Sequence, residues 1–548
     1  MNRPLRFLMM ALAMLLPATA AWIRADVPPR HTEATEDPTG QAPPRLVVLV
    51  VVDQLRADLL DRYDGVFTAG LRRLRDEGFR FERATHDHAI TLTAPGHATI
   101  TTGTEPRKHG VVSNLWFEIR GQQWLQVDNV LDPQVALVDD STLMGASPSV
   151  LERSGLADWL QEAHPGAKVV SVSGKARSAV LMATHSQAQV YWFEGALGRF
   201  VSSRHYMDGY PEWFEAFHQE VLPTTAGNFI WELEVPEEFR ELARPDSADF
   251  EGDGIHTTFP HAYADSEWLF SQGRFWDWWA TTPLLDGATR LLAQAAATAE
   301  ELGQDDAPDL LAVSFSQTDR VGHAYGPLSL EQLDNLHRLD RELGAFLEWL
   351  DQEYGTEGYL LAFTADHGVA DSPEYTVEQG GWGMRIPRDS AFALQGIMNE
   401  VAGNVGGSDR AALARGLRDA VTRISWIEQA WTYPELEASS AGADSFTVMQ
   451  ARSHYPGRYS GLLGRQGLEM RFMEHSLLWV YPRGSTHGTP YLYDRHVPFI
   501  LFGAGVSPGA SDEPVSTADV APTLAEALGI AFPEDLDGAP RRAGEGGR

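Results

Sequence analysis

The sequence predicts an α/β fold in which a largely parallel central sheet is flanked by helices and interrupted by inserted cap segments. Three observations predict it. Unbroken β-branched or apolar runs recur along the chain, of the kind that fill central strands buried on both faces. Helical periodicity lies between several of these runs, and that alternation builds parallel sheets. Aspartate and histidine residues follow the runs, at the sheet edge where loops from separate strands converge.

From the N-terminus, Arg3 and Arg6 precede an apolar run from Phe7 to Leu16, and Ala18-Thr19-Ala20 follows. This pattern reads as a signal peptide over residues 1–20, because the run is short for a bilayer span and ends in small residues. An uncleaved anchor is the alternative, since Trp22 and Ile23 prolong the apolar character. Residues 21–44 are rich in Pro, Thr and Glu without periodicity and read as a flexible linker. The main body, 45–533, opens with the strand run Leu46 to Val52, closed by Asp53. Similar runs follow at Val169 to Val172, Leu310 to Phe315, Tyr359 to Phe363 and Val497 to Phe502. Thr282-Pro283 starts a helix over Leu284 to Leu302, stopped by Gly303. Helical patterns also cover Ala411 to Ile424 and Ala518 to Leu528, the second stopped by Gly529. Segments 116–148, 193–281 and 391–481 break the rhythm and read as insertions, the second strongly aromatic and the third a cap lobe. Residues 534–548, rich in Gly and Arg at their end, read as a flexible tail.

Composition narrows the chemistry. The 548 residues carry 43 Lys+Arg against 76 Asp+Glu, a formal net charge of −33. Generic nucleic-acid binding needs the opposite balance, so no nucleic-acid partner is expected and an anionic substrate requires a local basic site. The absence of cysteine excludes disulfides, thiolate metal sites and cysteine nucleophiles. Metal ligands must be His, carboxylate or hydroxyl.

Asp53 ends the first strand, Asp319 and His323 follow the Leu310 strand, Asp366-His367 follow the Tyr359 strand, and His487 precedes the Val497 strand. Each alone is weak, because a strand-end Asp is commonly a helix cap. Together, three Asp and three His suit two divalent ions roughly 4 Å apart. A thiol-free His/carboxylate set favours zinc, with manganese, cobalt or magnesium as replacements. His86, His88, His97 and His109 fit no strand-end pattern and read as structural groups or as supports of the ligands. Thr93, ahead of Ala94-Pro95-Gly96-His97, offers a nucleophilic hydroxyl at a helix start, where backbone N–H groups and the helix dipole favour an anion. It could equally be an N-cap, and Thr91, Thr99, Thr101 and Thr102 compete for the role.

With these motifs in place, the sequence resembles the alkaline phosphatase superfamily, specifically its periplasmic alkaline phosphatases with a threonine nucleophile. The landmarks are Val52-Asp53-Gln54, Thr93-Ala94-Pro95-Gly96-His97, Ser113-Asn114-Leu115-Trp116, Gly174-Lys175-Ala176-Arg177, Thr318-Asp319 with Gly322-His323, Ala365-Asp366-His367-Gly368 and Thr486-His487-Gly488. The resemblance implies an alkaline-phosphatase-like sandwich over 45–533 that hydrolyses small-molecule phosphate monoesters in the periplasm, or after secretion, with no stable membrane partner. It implies one zinc on Asp319, His323 and His487 and a second on Asp53, Asp366 and His367, with Thr93 on the second. It also implies that Asn114, Lys175 and Arg177 hold the non-bridging phosphoryl oxygens. Lys175 and Arg177 alternate by two and would share a face if their strand continues. Lysine occurs elsewhere only at 108 and 168, which favours a functional role over a solvated basic pair. A phosphodiesterase or nucleotide pyrophosphatase of the same superfamily is the nearest alternative, and a non-catalytic zinc-binding protein is an alternative of another class. A sulfatase is disfavoured by the absence of cysteine and of serine at position 93.

Overall fold

The computed structural model describes residues 31–32, 43–226, 230–266, 275–405, 409–439 and 442–544. The expected signal peptide and most of the expected linker therefore lie outside the described residues.

The apolar runs pair into one nine-stranded sheet: β1 (Leu46–Val52), β2 (Phe79–Thr85), β3 (Val169–Ser173), β4 (Gln189–Glu194), β5 (Arg199–Val201), β6 (Asp309–Phe315), β7 (Tyr359–Thr364), β8 (Phe499–Gly503) and β9 (Gly509–Ser516). Their spatial order is β9-β2-β8-β7-β1-β6-β3-β4-β5. β1 lies at the centre, parallel to β6 and β7, and every one of its residues is buried. Its side chains alternate between two cores. Leu46, Val48, Val50 and Val52 join the core on one face, and Val47, Leu49 and Val51 join that on the other. A strand buried on both faces has no polar side to present, which is why it reads as an unbroken run.

The sheet is mixed rather than uniformly parallel. β8 runs antiparallel to both β7 and β2, and β5 antiparallel to β4. The expectation that the Val497 run continues the parallel series is corrected for that strand. The reversal brings the N-terminal end of β8 to the same edge as the C-terminal ends of β1, β6 and β7, so a residue just before β8 can meet residues just after the others.

Helices that matter for the site are α1 (Thr93–Thr102), α2 (Ala176–Ala183), α3 (Leu284–Ala299), α4 (Gln317–Tyr325) and α5 (Leu330–Tyr354). α3 starts after Pro283, and the chain turns through Gly303 at φ 67 before entering β6. Segment 116–148 holds two antiparallel pairs, Leu115–Arg120 with Gln123–Asp128 and Leu131–Ala136 with Met144–Ala146. Within 193–281, residues up to Val201 belong to the main sheet. Segment 391–481 has helices Asp389–Val405 and Arg410–Val421, a strand pair Ile427–Thr432 with Leu468–Phe472, and a small core around Leu417, Val421 and Trp426. The described part of the expected flexible tail is tied down. Asp535 pairs with Arg153, Asp537 with Arg107 and Lys108, and Arg541 with Asp519. The acidic residues ahead of the Gly/Arg stretch find cations on the body, which overrides the composition. Among the described residues no helix is long and apolar enough to cross a membrane.

Candidate active site

Asp53 follows β1 directly, and its N–H donates to Phe315 O at 2.9 Å, so the ladder with β6 holds the backbone to the strand's last residue. The carboxylate is fully buried. Gln54 comes next with φ 71, a left-handed conformation uncommon outside glycine and frequent at functional sites. Its backbone N–H donates to Asp366 Oδ1 at 3.1 Å and its Nε2 to Asp319 Oδ1 at 2.7 Å. One residue thus orients carboxylates delivered by two other strands.

Asp319 and His323 share a face of α4 at spacing i, i+4, and His323 Nε2 lies 3.1 Å from Asp319 Oδ1. The intervening Gly322 lies so close to Gln54 that a Cβ would meet Gln54 Oε1. His487 Nε2 approaches the same Asp319 oxygen at 3.4 Å. His367 Nε2 stands 3.5 Å from both Asp53 Oδ1 and Asp366 Oδ2. The tightest groupings of ligand atoms are Asp53, Asp366, His367 and Asp319, His367, His487. His367 is shared between them, its ring stacked on His487 at 3.6 Å, while His323 stands beside Asp319.

The donor set fits divalent cations. Each of the three imidazoles directs Nδ1 at a main-chain carbonyl: His323 at Ser485 O (2.9 Å), His367 at Gly368 O (2.9 Å) and His487 at Thr91 O (2.7 Å). A carbonyl only accepts, so Nδ1 carries a proton in each ring, which leaves Nε2, facing the carboxylates, as the nitrogen that can coordinate a cation. Metal-binding histidines are commonly oriented this way. Asp53 Oδ1 and Asp366 Oδ2 are buried and accept no hydrogen bond among the described residues, although a buried charge needs compensation. Burial, then the charge of Asp366, pushes the Asp53 carboxyl well above the usual range. Burial also opposes ionisation of Asp319, but His323 and Lys175 outweigh it and hold that carboxyl well below the usual range.

Thr93 opens α1 after Leu92, whose backbone is extended, and its Oγ1 lies 3.5 Å from His367 Nε2. Gly96 makes this approach possible, because a Cβ there would run into the backbone of Asp366. The competing hydroxyls are engaged elsewhere: Thr91 donates to Thr489 O, Thr99 bonds His109, Thr101 donates to His97 O and Thr102 to Ala98 O. His97 supports the ligands, with Nδ1 2.9 Å from Thr93 O and 3.2 Å from Asp366 Oδ2. His86, His88 and His109 are fully buried and bond Ala365 O, Glu105 and Thr99 respectively.

Asn114 Oδ1 accepts from the Ala94 N–H at 2.9 Å, which clamps the first turn of α1. Lys175 Nζ sits between Asp53 Oδ2 (2.6 Å) and Asp319 Oδ2 (2.5 Å). The expectation that Lys175 and Arg177 share a strand face is corrected. β3 ends at Ser173, Lys175 caps α2, and Arg177 lies in its first turn. Both side chains nevertheless line one cavity of about 1160 Å³ with Thr93, Asn114, Asp319, His323 and His487. The role of Gln54 and the aim of His97 could not be found in the sequence, because only contacts between distant segments give them meaning. Arg320, also on the cavity wall, left no sequence signal beyond its place beside Asp319.

The model of the type I phosphodiesterase / nucleotide pyrophosphatase family matches residues 47–382. The alkaline phosphatase PhoV of Synechococcus elongatus is 32% identical over 90% of this chain and 92% of its own. The alkaline phosphatase PafA of Elizabethkingia meningoseptica is 29% identical over 91% of this chain and 94% of its own. The crystal structure of wild-type PafA superposes with a TM-score of 0.80 at 27% identity, over 91% of this chain and 98% of that one.

Proposed function

This chain belongs to the type I phosphodiesterase / nucleotide pyrophosphatase family, within the alkaline phosphatase superfamily, and from that premise we propose that it is a phosphate monoester hydrolase working through Thr93. The observation that carries the reading is convergence. A buried hydroxyl, Asp319, His323, His487 and the donors Asn114, Lys175 and Arg177 line one cavity, and the grouping Asp53, Asp366, His367 adjoins it through the shared His367. The relatives named as alkaline phosphatases match over nine-tenths of the chain.

Asp319, His323 and His487 would hold one ion, and Asp53, Asp366 and His367 the other, with Thr93 on the second. Two divalent ions, zinc being the best match to this donor set, supply Lewis-acid stabilisation of the attacking and leaving oxygens when bound. Thr93 Oγ attacks phosphorus in line, its bond to phosphorus forming as the ester P–O bond breaks and the alcohol departs. Asn114 Nδ2, Lys175 and Arg177 donate to the non-bridging oxygens, where charge accumulates. Water then cleaves the phosphothreonine and releases inorganic phosphate. Gln54, bonded to both Asp366 and Asp319, holds them in position throughout, with His97 beside Asp366.

Replacement of Thr93 by Ala should abolish hydrolysis of an aryl phosphate while metal content, measured by elemental analysis, stays near that of the parent. Normal turnover in that variant would refute the nucleophile. A diesterase reading draws on the breadth of the cavity, which reaches Trp192, Phe193 and Trp278. The cationic donors favour the more highly charged monoester, and kcat/KM for an aryl phosphate against its methyl diester decides between them. The expected signal peptide supports a periplasmic location, with secretion as the second choice, and cell fractionation tests it.

A further inference from the structure

α4 carries a third charged residue between its two candidate ligands. Arg320 lines the cavity shared by Thr93, Lys175 and Arg177. Its Nε is buried and has no hydrogen-bond partner among the described residues. Among the described residues no carboxylate pairs with its guanidinium, although Asp319, Asp53, Asp286 and Arg177 all lie within electrostatic reach. Asp286, the carboxylate of that set outside the ligand cluster, is engaged elsewhere. It accepts from the backbone N–H groups of Ser316 at 2.9 Å and Gln317 at 3.4 Å. A guanidinium has five donors in a planar fork suited to carboxylate or phosphate, and leaving them unused in a half-buried site is costly.

One phosphoryl group does not need this arginine. Its three non-bridging oxygens are already served by the cations, Asn114, Lys175 and Arg177. The cavity is also larger than one phosphoryl group, being comparable to pockets of about 300–1,000 Å³ that enclose drug-sized ligands. Asp128, Glu194, Asp253 and Asp277 line other parts of it, so attraction for a further anion falls to the lining cations Lys175, Arg177 and Arg320, with the exposed Arg483 as a fourth. Arg320 adjoins Asp319, a candidate ligand of the ion that does not hold Thr93 and that would therefore face the departing alcohol in an in-line reaction.

We propose that Arg320 recognises a second anionic group, phosphate or carboxylate, carried by the leaving group, so that the preferred substrates are phosphate esters or anhydrides bearing such a group. This rests on the phosphohydrolase reading above. The test uses the metal-loaded full chain and compares kcat/KM for para-carboxyphenyl phosphate with its near-isosteric neutral partner, para-carboxamidophenyl phosphate, and for inorganic pyrophosphate with phenyl phosphate. The parent enzyme should favour the charged member of at least one pair by about ten-fold or more. The pair with the larger ratio identifies the recognised group as carboxylate or phosphate. Arg320→Met should collapse that ratio, chiefly through KM, and Arg320→Lys should recover part of it, whereas Arg177→Met should lower turnover of every probe. Parity in the parent enzyme, or an equal loss for charged and neutral probes in Arg320→Met, overturns the assignment. The parent comparison needs no variant and so stands if a substitution disturbs folding. Failure to turn over any probe would instead count against the hydrolase reading itself.

Discussion

Lys175→Met removes a charge while keeping most of the side-chain volume. In the structure Nζ contacts Asp53 Oδ2 at 2.6 Å and Asp319 Oδ2 at 2.5 Å, and the side chain is only 12% exposed. The lysine therefore balances two carboxylates and can also donate to the transferred phosphoryl group. A hydrogen bond to a charged group contributes about 1.5–3 kcal/mol, which corresponds to about one to two orders of magnitude in rate. With metal saturating, kcat/KM for para-nitrophenyl phosphate should fall by that factor, and by less for the methyl diester, which carries less charge. The monoester preference should shrink. The balancing role has its own readout. Removing one partner of a buried pair costs about 3–5 kcal/mol, so the metal-free variant should melt below the metal-free parent, and added zinc should narrow the gap. Equal losses on monoester and diester, or a melting difference indifferent to metal, would refute the reasoning.

Chelation should abolish turnover and zinc should restore it, and chelator-insensitive activity would contradict a metal-dependent site. Gly96→Ala should lose activity and metal together, because the added methyl meets the backbone of Asp366; elemental analysis and a phosphatase assay check both, and a fully active, metal-loaded variant would show that the close approach is dispensable. Burial, assisted by Asp537, pushes Glu105 up to about 8 beside His88. A carboxyl raised in the folded state binds more protons there than in the unfolded chain, so its contribution falls as pH rises between the ordinary carboxylate value and about 8. Denaturant melts of the metal-loaded protein at about pH 6 and about pH 9 should therefore show a smaller loss for Glu105→Gln than for the parent, and an equal loss would contradict the assignment.

Much of the site was legible because central strands announce themselves. Four-to-seven-residue apolar runs end abruptly at Asp53, near Asp319 and at Asp366-His367, and a strand's end fixes where its next side chain can be. Direction was not legible. An apolar run reads the same both ways, so only pairing shows β8 reversed, and only that reversal explains why His487 precedes its strand while the other candidate ligands follow theirs. Lys175 and Arg177 were assigned to one face by a period of two, but the backbone turns into α2 after Ser173, so helix geometry rather than pleat sets their positions.

The amino-acid order by itself determined the α/β class, the thiol-free ligand chemistry and the need for a local cationic site in a chain of net charge −33, since these follow from composition and local periodicity. Only the tertiary structure decided that Gln54 spans Asp319 and Asp366, that Gly96 admits Thr93 to His367, and that Arg320 lines the cavity wall with its Nε unpartnered among the described residues. Those relations join residues hundreds of positions apart. They arise from how the layers pack, which no local pattern encodes.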